Sequence, residues 1–337
     1  MKVVVRASRP SDLPALYEMA KLAGPGFTNL PADRVVLGAK LARSAAAYGK
    51  TVDEPGDDCY LLIMEDVERN KVIGTAQIFS RIGQTWPFYS YRIGVLSQVS
   101  TELGRTFRAE MLNLTTDYEG STEVGGLFLH PRERAGGLGM LLARSRYLFI
   151  RQHRARFANR VIAELRGMID EAGASPFWDG LAGKFFGMSF QEADTFNASH
   201  GHQFIADLMP KHPIYTAMLP ENARLTIGRP HPGGRAAMRM LENEGFRFEG
   251  YIDIFDGGPT MVADTDSIRS VAMAHDGVVT AIDGTGGVAS IAAAGRLADF
   301  RASLSEVDAC VDGVKIDGDA AGLLGVTTGD EIVHVPR

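Results

Sequence analysis

Length, composition and charge limit the kinds of protein that this chain can be. Its 337 residues exceed one minimal domain, so one large domain with an appendage or two domains are expected. Hydrophobic residues make up 45% and charged residues 23%, the balance of a globular protein with a sizeable core. The net charge of −6 argues against a broad basic face for nucleic acid.

Cysteine content and apolar runs indicate the compartment. The two cysteines, Cys59 and Cys310, exclude a disulfide framework and fit a reducing environment. The three valines near the N-terminus are too few for a signal peptide, and no run of about 18 apolar residues follows. We therefore expect a soluble, cytoplasmic protein without a membrane span.

Apolar periodicity and turn residues predict the elements of the first half of the chain. Helices are expected at 11–23, at 35–48 and after residue 137. Strands are expected at 3–6, 60–65, 72–79, 89–95, 123–129 and 161–165, with the second and third paired across a polar turn at 66–71.

The second half divides into a mixed region and a tail of different composition. Residues 175–218 are expected to be helical with loops, followed by a helix at 234–243 and a strand at 248–255. After residue 260 the chain lacks Trp and Tyr, and Asp-Gly pairs recur at 276–277, 283–284, 312–313 and 317–318. Such pairs are hairpin-turn signals, so 265–337 is predicted to be a small all-β domain.

A glycine-rich turn follows the strand at 123–129 and opens the next helix. It contains Arg134, Ala135, Gly136, Gly137, Leu138 and Gly139. Glycines permit close backbone approach, and a helix N-terminus offers unpaired N–H groups with a positive dipole end, which together favour a pyrophosphate. The spacing fits neither a Walker loop, since no Gly-Lys-Ser/Thr follows, nor the G-x-G-x-x-G of dinucleotide-binding folds.

The turn instead resembles the Arg/Gln-x-x-Gly-x-Gly/Ala loop of the GNAT acyl-CoA N-acyltransferase superfamily, through Arg134, Gly137 and Gly139. Longer stretches are similar to the arginine N-succinyltransferase family. They are LPADR at 30–34, GMIDEAGASPFW at 167–178, FIADLMPKHPIY at 204–215, YIDIFDGGPT at 251–260 and, more loosely, LLGVTTGDEIVHV at 323–335.

This resemblance implies a fold and a reaction. The fold class is α/β, with a GNAT-type mixed, mostly antiparallel sheet flanked by helices and a small C-terminal barrel-like domain. The implied domains are 1–262, with a helical insertion around 170–218, and 263–337. The implied reaction moves succinyl from the co-substrate succinyl-CoA to the α-amino group of L-arginine. A homo-oligomer, or a hetero-oligomer with a homologous subunit, is also expected.

The resemblance also assigns the reaction centre. His231 matches the family's catalytic histidine, a proton donor there, and an imidazole suits proton transfer near neutral pH. Leu127 matches the succinyl-CoA contact, and its backbone amide would face the thioester oxygen. Gly125 and Gly126, just before it, would permit a bulge. Two rivals for proton transfer are Glu123, through a water, and Tyr147, as a donor to the thiolate.

Charged substrates require charged partners, for which the sequence offers candidates. The distal carboxylate of succinyl requires a cation, and Arg92 and Arg166 are the candidates. The guanidinium of arginine requires carboxylates, and the candidates are Asp170, Glu171, Asp253 and Asp256. Six arginines between 144 and 160 could attract phosphates, although cations near a helix C-terminus are favourable in any case. No metal is expected, because His200, His202 and His212 form a weak set without a cysteine.

Three alternatives remain open from the sequence. Ornithine could replace arginine as the acceptor. The chain could be a different acyl-CoA-dependent N-acyltransferase. It could also be a CoA-binding, non-catalytic subunit of an enzyme built from paired homologous subunits.

Overall fold

The computed structural model describes residues 2–23, 27, 29–200, 203–283 and 286–337. The strands of this part are β1 Val3–Ala7, β2 Cys59–Asp66, β3 Lys71–Phe79, β4 Ser90–Ser100, β5 Arg105–Thr115, β6 Thr122–Leu129, β7 Arg160–Glu164, β8 Ile214–Tyr215, β9 Arg247–Asp253, β10 Pro259–Asp264, β11 His275–Ile282, β12 Val288–Ala294, β13 Arg301–Cys310, β14 Gly313–Ile316 and β15 Glu331–Pro336. The helices are α1 Leu13–Ala23, α2 Arg34–Tyr48, α3 Leu138–Gln152, α4 Pro176–Gly180, α5 Gly183–Phe186, α6 Phe190–His200, α7 Gln203–Leu208, α8 Glu221–Arg224, α9 Arg235–Asn243, α10 Arg269–Ala272 and α11 Gly318–Leu324.

The main sheet has the order β1-β2-β3-β6-β7-β10-β9-β4-β5-β8. Its neighbouring strands are antiparallel except β6 and β7, which are parallel. The expected mixed, mostly antiparallel sheet is therefore confirmed. Side chains of one strand alternate between two faces: Leu61 and Ile63 pack with α1 and α2, while Tyr60 and Leu62 pack with α3. Helices thus cover both faces of the sheet.

The C-terminal strands close into a barrel of five. Their order is β12-β15-β11-β14-β13, and β12 also pairs with β13, which closes the ring. The barrel joins the main sheet where β1 pairs with β13, at Val5 opposite Ala302. The expected barrel-like region is confirmed, but it is not all β, because α11 packs into the same core, beside Val279 and Ile316. The predicted boundary between 262 and 263 stays a prediction.

The Asp-Gly pairs of the tail are hairpin turns less often than predicted. Of the three pairs whose residues are both described, the one at 312–313 joins two paired strands, β13 and β14. The pair at 276–277 lies inside β11, and Asp317 caps α11 by accepting from the N–H of Ala320. Gly284 of the fourth pair lies outside the described residues. An Asp that caps a helix produces the same dipeptide as a turn, which explains the error.

The region predicted to be helical with loops, 175–218, contains α4 to α7 and the short strand β8. It covers the far end of the sheet through a second core, in which Phe177 and Trp178 pack against Tyr91 and Phe255. This core fixes the position of the turn between β9 and β10, which forms one side of the site described next.

Candidate active site

The main sheet opens between its two parallel strands. β6 and β7 pair only near their beginnings, at Thr122 opposite Val161 and Glu123 opposite Ile162. Beyond these pairs, residues 124–129 of β6 and 163–166 at the end of β7 line a cavity of about 990 Å³. A gap in the middle of a sheet leaves backbone groups without ladder partners, and such groups require a ligand or water.

β6 contains a bulge at this opening. The register with β3 pairs Gln77 with Gly125 and Thr75 with Phe128, so β6 has one extra residue, and neither Gly126 nor Leu127 has a partner in the register. Gly126 has a φ of 54°, and a Cβ there would lie 2.2 Å from Gln77 Nε2. The bulge expected from the glycine pair is confirmed, and it takes the backbone of Leu127 out of the ladder.

The glycine-rich turn forms the next wall of the cavity. Gly136 and Gly137 have φ values of 63° and 80°, and Gly137 is the N-cap of α3. All six residues from 134 to 139 line the cavity. The first-turn N–H groups of α3 have no partner within the helix, so the turn can bind an anion in the way predicted. The Arg134 side chain is fixed by its Nε, which donates to Leu129 O at 3.1 Å.

His231 lies at the cavity wall beside the end of β7. Its backbone N–H donates to Arg166 O at 2.8 Å. Its Nδ1 accepts from the Gly233 N–H at 3.1 Å, which leaves Nε2 to carry the proton of the neutral ring. Burial and the Arg166 guanidinium lower the pKa of His231. The ring is therefore neutral at pH 7 and presents an Nε2–H donor.

Three carboxylates, of which Asp256 is buried and the other two are half-buried, form a second wall, which we call the carboxylate wall. It consists of Glu164 at the end of β7 with Asp253 and Asp256 at the turn between β9 and β10, and all three line the cavity. Burial raises the pKa of Glu164 well above its usual range and that of Asp256 to about 7. Asp256 accepts from the N–H groups of Gly167 and Gly258 at 2.7 and 2.8 Å.

The two sequence motifs beside this wall, 167–178 and 251–260, are in close contact through their backbones. A Cβ on Gly167 would lie 2.3 Å from Asp256 O, and one on Gly258 would lie 2.0 Å from Leu165 O. Only glycine allows this approach, so 167–178 and 251–260, distant in sequence, form one structural unit. His231 joins the unit through Arg166.

The rivals for proton transfer have different positions. Glu123 is buried behind the wall and does not line the cavity, and burial raises its pKa to about 7, opposed by Asn29 and Lys40. Tyr147 lines the cavity, but burial raises the pKa of its phenol to about 12.

The candidates for charged substrates separate into two groups. Arg166, Asp253 and Asp256 line the cavity, whereas Arg92, Asp170 and Glu171 do not. The Arg92 guanidinium lies over the Tyr251 ring, 5.7 Å from its centroid. Asp170 accepts from the N–H groups of its own turn, at Ala172 and Ala174. The structure therefore brings only three of the six to the cavity.

The arginines between 144 and 160 mostly form ion pairs and hydrogen bonds with other residues of the protein. Arg156 is buried and bonded to Asp53 and to Lys50 O, and Arg151 and Arg154 pair with Asp276 and Asp266. Arg144 Nε lies 3.1 Å from Glu244 Oε1 and also donates to Ser270. Arg144 and Arg146 line the cavity as well.

Several lining residues were not predicted from the sequence. Glu164 ends a buried apolar strand, and a lone acid in that position was a usable signal. Asn29, Arg269 and Arg337 also line the cavity. Nothing in their local sequence distinguishes them, because they reach the cavity from distant parts of the chain.

Within the described ranges, no group of three His, Cys, Asp or Glu residues is arranged to hold a metal ion. His202 lies outside those ranges, so the expectation of no metal stays a prediction. In the same part of the chain, no helix combines the length and apolarity needed to cross a membrane.

Known proteins share this architecture along the whole chain. The sequence model described as "Arginine N-succinyltransferase beta subunit" matches residues 3–270, and that of the C-terminal domain of the same subunit matches 275–336. "Arginine N-succinyltransferase subunit beta" of Pseudomonas aeruginosa is 43% identical over 270 residues, covering 80% of this chain and 79% of the relative. "Arginine N-succinyltransferase" of Salmonella schwarzengrund is 42% identical over 268 residues, covering 80% and 78%.

A solved structure extends the similarity to three dimensions. Subunit AI of arginine/ornithine succinyltransferase from Pseudomonas aeruginosa superimposes with a TM-score of 0.90 at 31% identity, covering 99% of this chain and 98% of that one. Sequence and structure agree over both the main sheet and the barrel. The chain therefore belongs to the arginine N-succinyltransferase beta subunit family, a family of acyltransferases.

Proposed function

We propose that this chain is a competent enzyme that transfers succinyl from succinyl-CoA to the α-amino group of L-arginine in the cytoplasm. One observation carries the proposal: a single cavity joins an anion-binding turn, a bulged strand, a histidine donor and the carboxylate wall. Each part matches one group of the two substrates. A chain that only bound CoA would not need the last two.

The acyl-CoA enters through the gap between β6 and β7. Its pyrophosphate lies on the turn of residues 135–140, where the glycines leave room and the dipole of α3 favours negative charge. The amides of Ala135 and Leu138 already donate to Glu133 O and Ala135 O, so those of Gly136, Gly137, Gly139 and Met140 face the anion. The thioester carbonyl lies at the bulge. The Leu127 amide, which is outside the ladder, donates to the oxyanion of the tetrahedral intermediate.

The acceptor binds at the carboxylate wall. Arginine carries two cations, the α-ammonium and the guanidinium, and Glu164, Asp253 and Asp256 offer acidic partners along the cavity. A carboxylate with a raised pKa is a better base than an ordinary one, so the wall also accepts the proton that the ammonium loses before it attacks. Water then carries that proton away.

His231 acts on the leaving group. Its Nε2–H donates a hydrogen bond to the CoA sulfur as the C–S bond breaks and negative charge collects there. The freed thiolate takes its proton from water on release. Arg166, beside His231 at the cavity, binds the distal carboxylate of succinyl and distinguishes it from acetyl.

Relatives of this chain are subunits of larger enzymes, which supports assembly with a second copy or with a homologous subunit. Each copy would contain its own complete site, because the described residues of one chain supply all the parts named above. The reaction as written requires no metal.

The test is a thiol-release assay with the purified protein. Succinyl-CoA and acetyl-CoA are each combined with arginine, ornithine or lysine, and CoA release is followed over time. We expect the highest kcat/KM with succinyl-CoA and arginine. A higher value with ornithine would reassign the acceptor, and CoA binding without release for any pair would identify a non-catalytic subunit.

A further inference from the structure

The C-terminal barrel reaches the cavity through its last strand. Pro336 and Arg337, at the end of β15, line the same cavity as the glycine-rich turn. A Cβ on Gly137 would lie only 2.2 Å from Arg337 Nη2, so the guanidinium rests directly against the N-cap of α3. The Arg337 backbone is fixed to the barrel, since its N–H donates to Ala289 O at 3.0 Å.

Arg337 is one of several cations at this end of the cavity. Five arginines line the cavity around the beginning of α3, at positions 134, 144, 146, 269 and 337. Glu244 also lines it, but that carboxylate is engaged by Arg144 Nε at 3.1 Å and by the Ser270 N–H at 2.7 Å. Arg144 Nε donates to the hydroxyl of Ser270, the residue after Arg269, at 2.7 Å, so these two arginines lie close together. Burial, and then charge from Arg269 and Arg337, lower the pKa of Arg144, although Glu244 opposes this.

Glu244 is the acid that pairs with this cluster, and its pair is Arg144. In the part of the chain that the structure describes, Arg134, Arg269 and Arg337 form no ion pair, whereas Arg144, Arg151, Arg154 and Arg156 all do. Arginines held together without counter-charges repel one another, and a polyanion that neutralises them is the chemistry the arrangement fits. The α3 N-terminus adds positive potential at the same point.

We propose that the barrel takes part in co-substrate binding, with Arg337 and Arg269 holding phosphate groups of CoA against the glycine-rich turn. This rests on the proposed use of an acyl-CoA. CoA carries a pyrophosphate and a 3′-phosphate, and both offer the oxygens that a guanidinium binds through two N–H groups. The barrel is then part of the CoA site, in addition to its pairing with β1.

The test measures binding directly, without catalysis. Isothermal titration calorimetry with CoA compares the wild type with Arg337→Gln and Arg269→Gln. Each variant is expected to raise Kd roughly tenfold and to weaken its dependence on salt, because a charge-assisted hydrogen bond is lost. Arg108→Gln, on exposed β5 away from the cavity, makes the same change of net charge and should leave Kd unchanged.

A second ligand shows which phosphate group of CoA, the pyrophosphate or the 3′-phosphate, contacts Arg337. If the difference between wild type and Arg337→Gln disappears with 3′-dephospho-CoA, Arg337 binds the 3′-phosphate; if it persists, Arg337 binds the pyrophosphate. Either result supports the inference. Wild-type Kd values for CoA in folded Arg337→Gln and in the charge-reversed Arg337→Glu would overturn it. A wild type that does not bind CoA would instead contradict the proposed function.

Discussion

At the scale of single residues, the site contains acids whose surroundings favour the neutral, protonated form. Burial raises the pKa of Asp256 to about 7 and that of Glu164 well above its usual range, and both line the cavity. Glu123, which does not line the cavity, also has a pKa raised by burial to about 7. Near neutral pH such groups exchange protons readily, which suits the deprotonation of an ammonium. The same burial makes their charged forms costly for folding.

Glu123→Gln tests this cost. The folded-state pKa of about 7 lies above the ordinary value of 4.5, so the favourable contribution of Glu123 is fully present below about pH 4.5 and lost as the pH rises through 7. We expect the variant to raise Tm by several degrees at pH 8 and little at pH 5, measured by calorimetry. Glu54→Gln, at an exposed position, is the control. An equal change of Tm at both pH values would contradict the assignment.

Arg166→Ala tests the contact with the distal carboxylate of succinyl. Loss of a charge-assisted pair should lower the succinyl-over-acetyl ratio of kcat/KM by roughly tenfold or more. Arg92→Ala is the matched control, because Arg92 does not line the cavity and lies over Tyr251. An unchanged ratio in folded Arg166→Ala, or a drop in Arg92→Ala instead, would show that another cation binds succinyl.

The position of a residue at the cavity was predictable from sequence only where a motif surrounded that residue. His231, Leu127 and residues 134–139 lie at the cavity as expected, because their flanking sequences define the local backbone. For charged candidates, three of six did not reach the cavity. A carboxylate in a loop can as easily accept N–H groups of its own turn, as Asp170 does, and sequence does not distinguish the two cases.

At the scale of elements, the proposed mechanism places the reacting carbonyl at the bulge of β6. This bulge depends on Gly126, whose positive φ and close approach to Gln77 both exclude a side chain. Gln77 itself is held, since its Nε2 donates to Asn29 O at 2.7 Å and its Oε1 accepts from Lys40. The bulge therefore has a defined conformation before any substrate binds.

Gly126→Ala should damage both stability and activity. The left-handed conformation costs a side-chain residue about 1 kcal/mol, and the contact with Gln77 adds strain, so a loss of roughly 1–3 kcal/mol is expected with a lower kcat. Denaturant unfolding and the thiol assay measure the two effects. The control is Gly322→Ala in α11, where no atom is near and helix propensity should add up to about 1 kcal/mol. Unaltered stability and kcat in Gly126→Ala would refute the importance of the bulge.

Elements with strong periodicity were predicted well, as was the pairing of β2 with β3 across the turn at 66–71. α1, α2, α3 and α9, and β1 to β3, match their predicted ranges within a few residues. β5 and β10 were not predicted. β5 is largely exposed on the hairpin that it forms with β4, so its alternation is weak. β10, PTMVAD, begins with a proline and has only three consecutive apolar residues, which is too short a signal for a strand.

At the scale of the whole molecule, one part of the cavity wall is lined by cations and another part by carboxylates. Arginines gather where α3 begins, and the carboxylates lie where β7 ends and β9 turns into β10. An anionic co-substrate and a cationic acceptor are thereby directed to different parts of one cavity. Both sets of motifs could be identified from the sequence. Only the fold shows that they surround one cavity, although they are distant in sequence, at 134–139, 164–167, 231 and 251–258.

The most direct test of acyl transfer at this cavity is identification of the product by liquid chromatography and mass spectrometry. Incubated with succinyl-CoA and arginine, the wild type should form arginine carrying succinyl on the α-nitrogen, in amounts equal to the CoA released. His231→Ala should lower this rate roughly a hundredfold or more while still binding CoA. Failure of the wild type to form the product, or an unaltered rate in His231→Ala, would contradict the account.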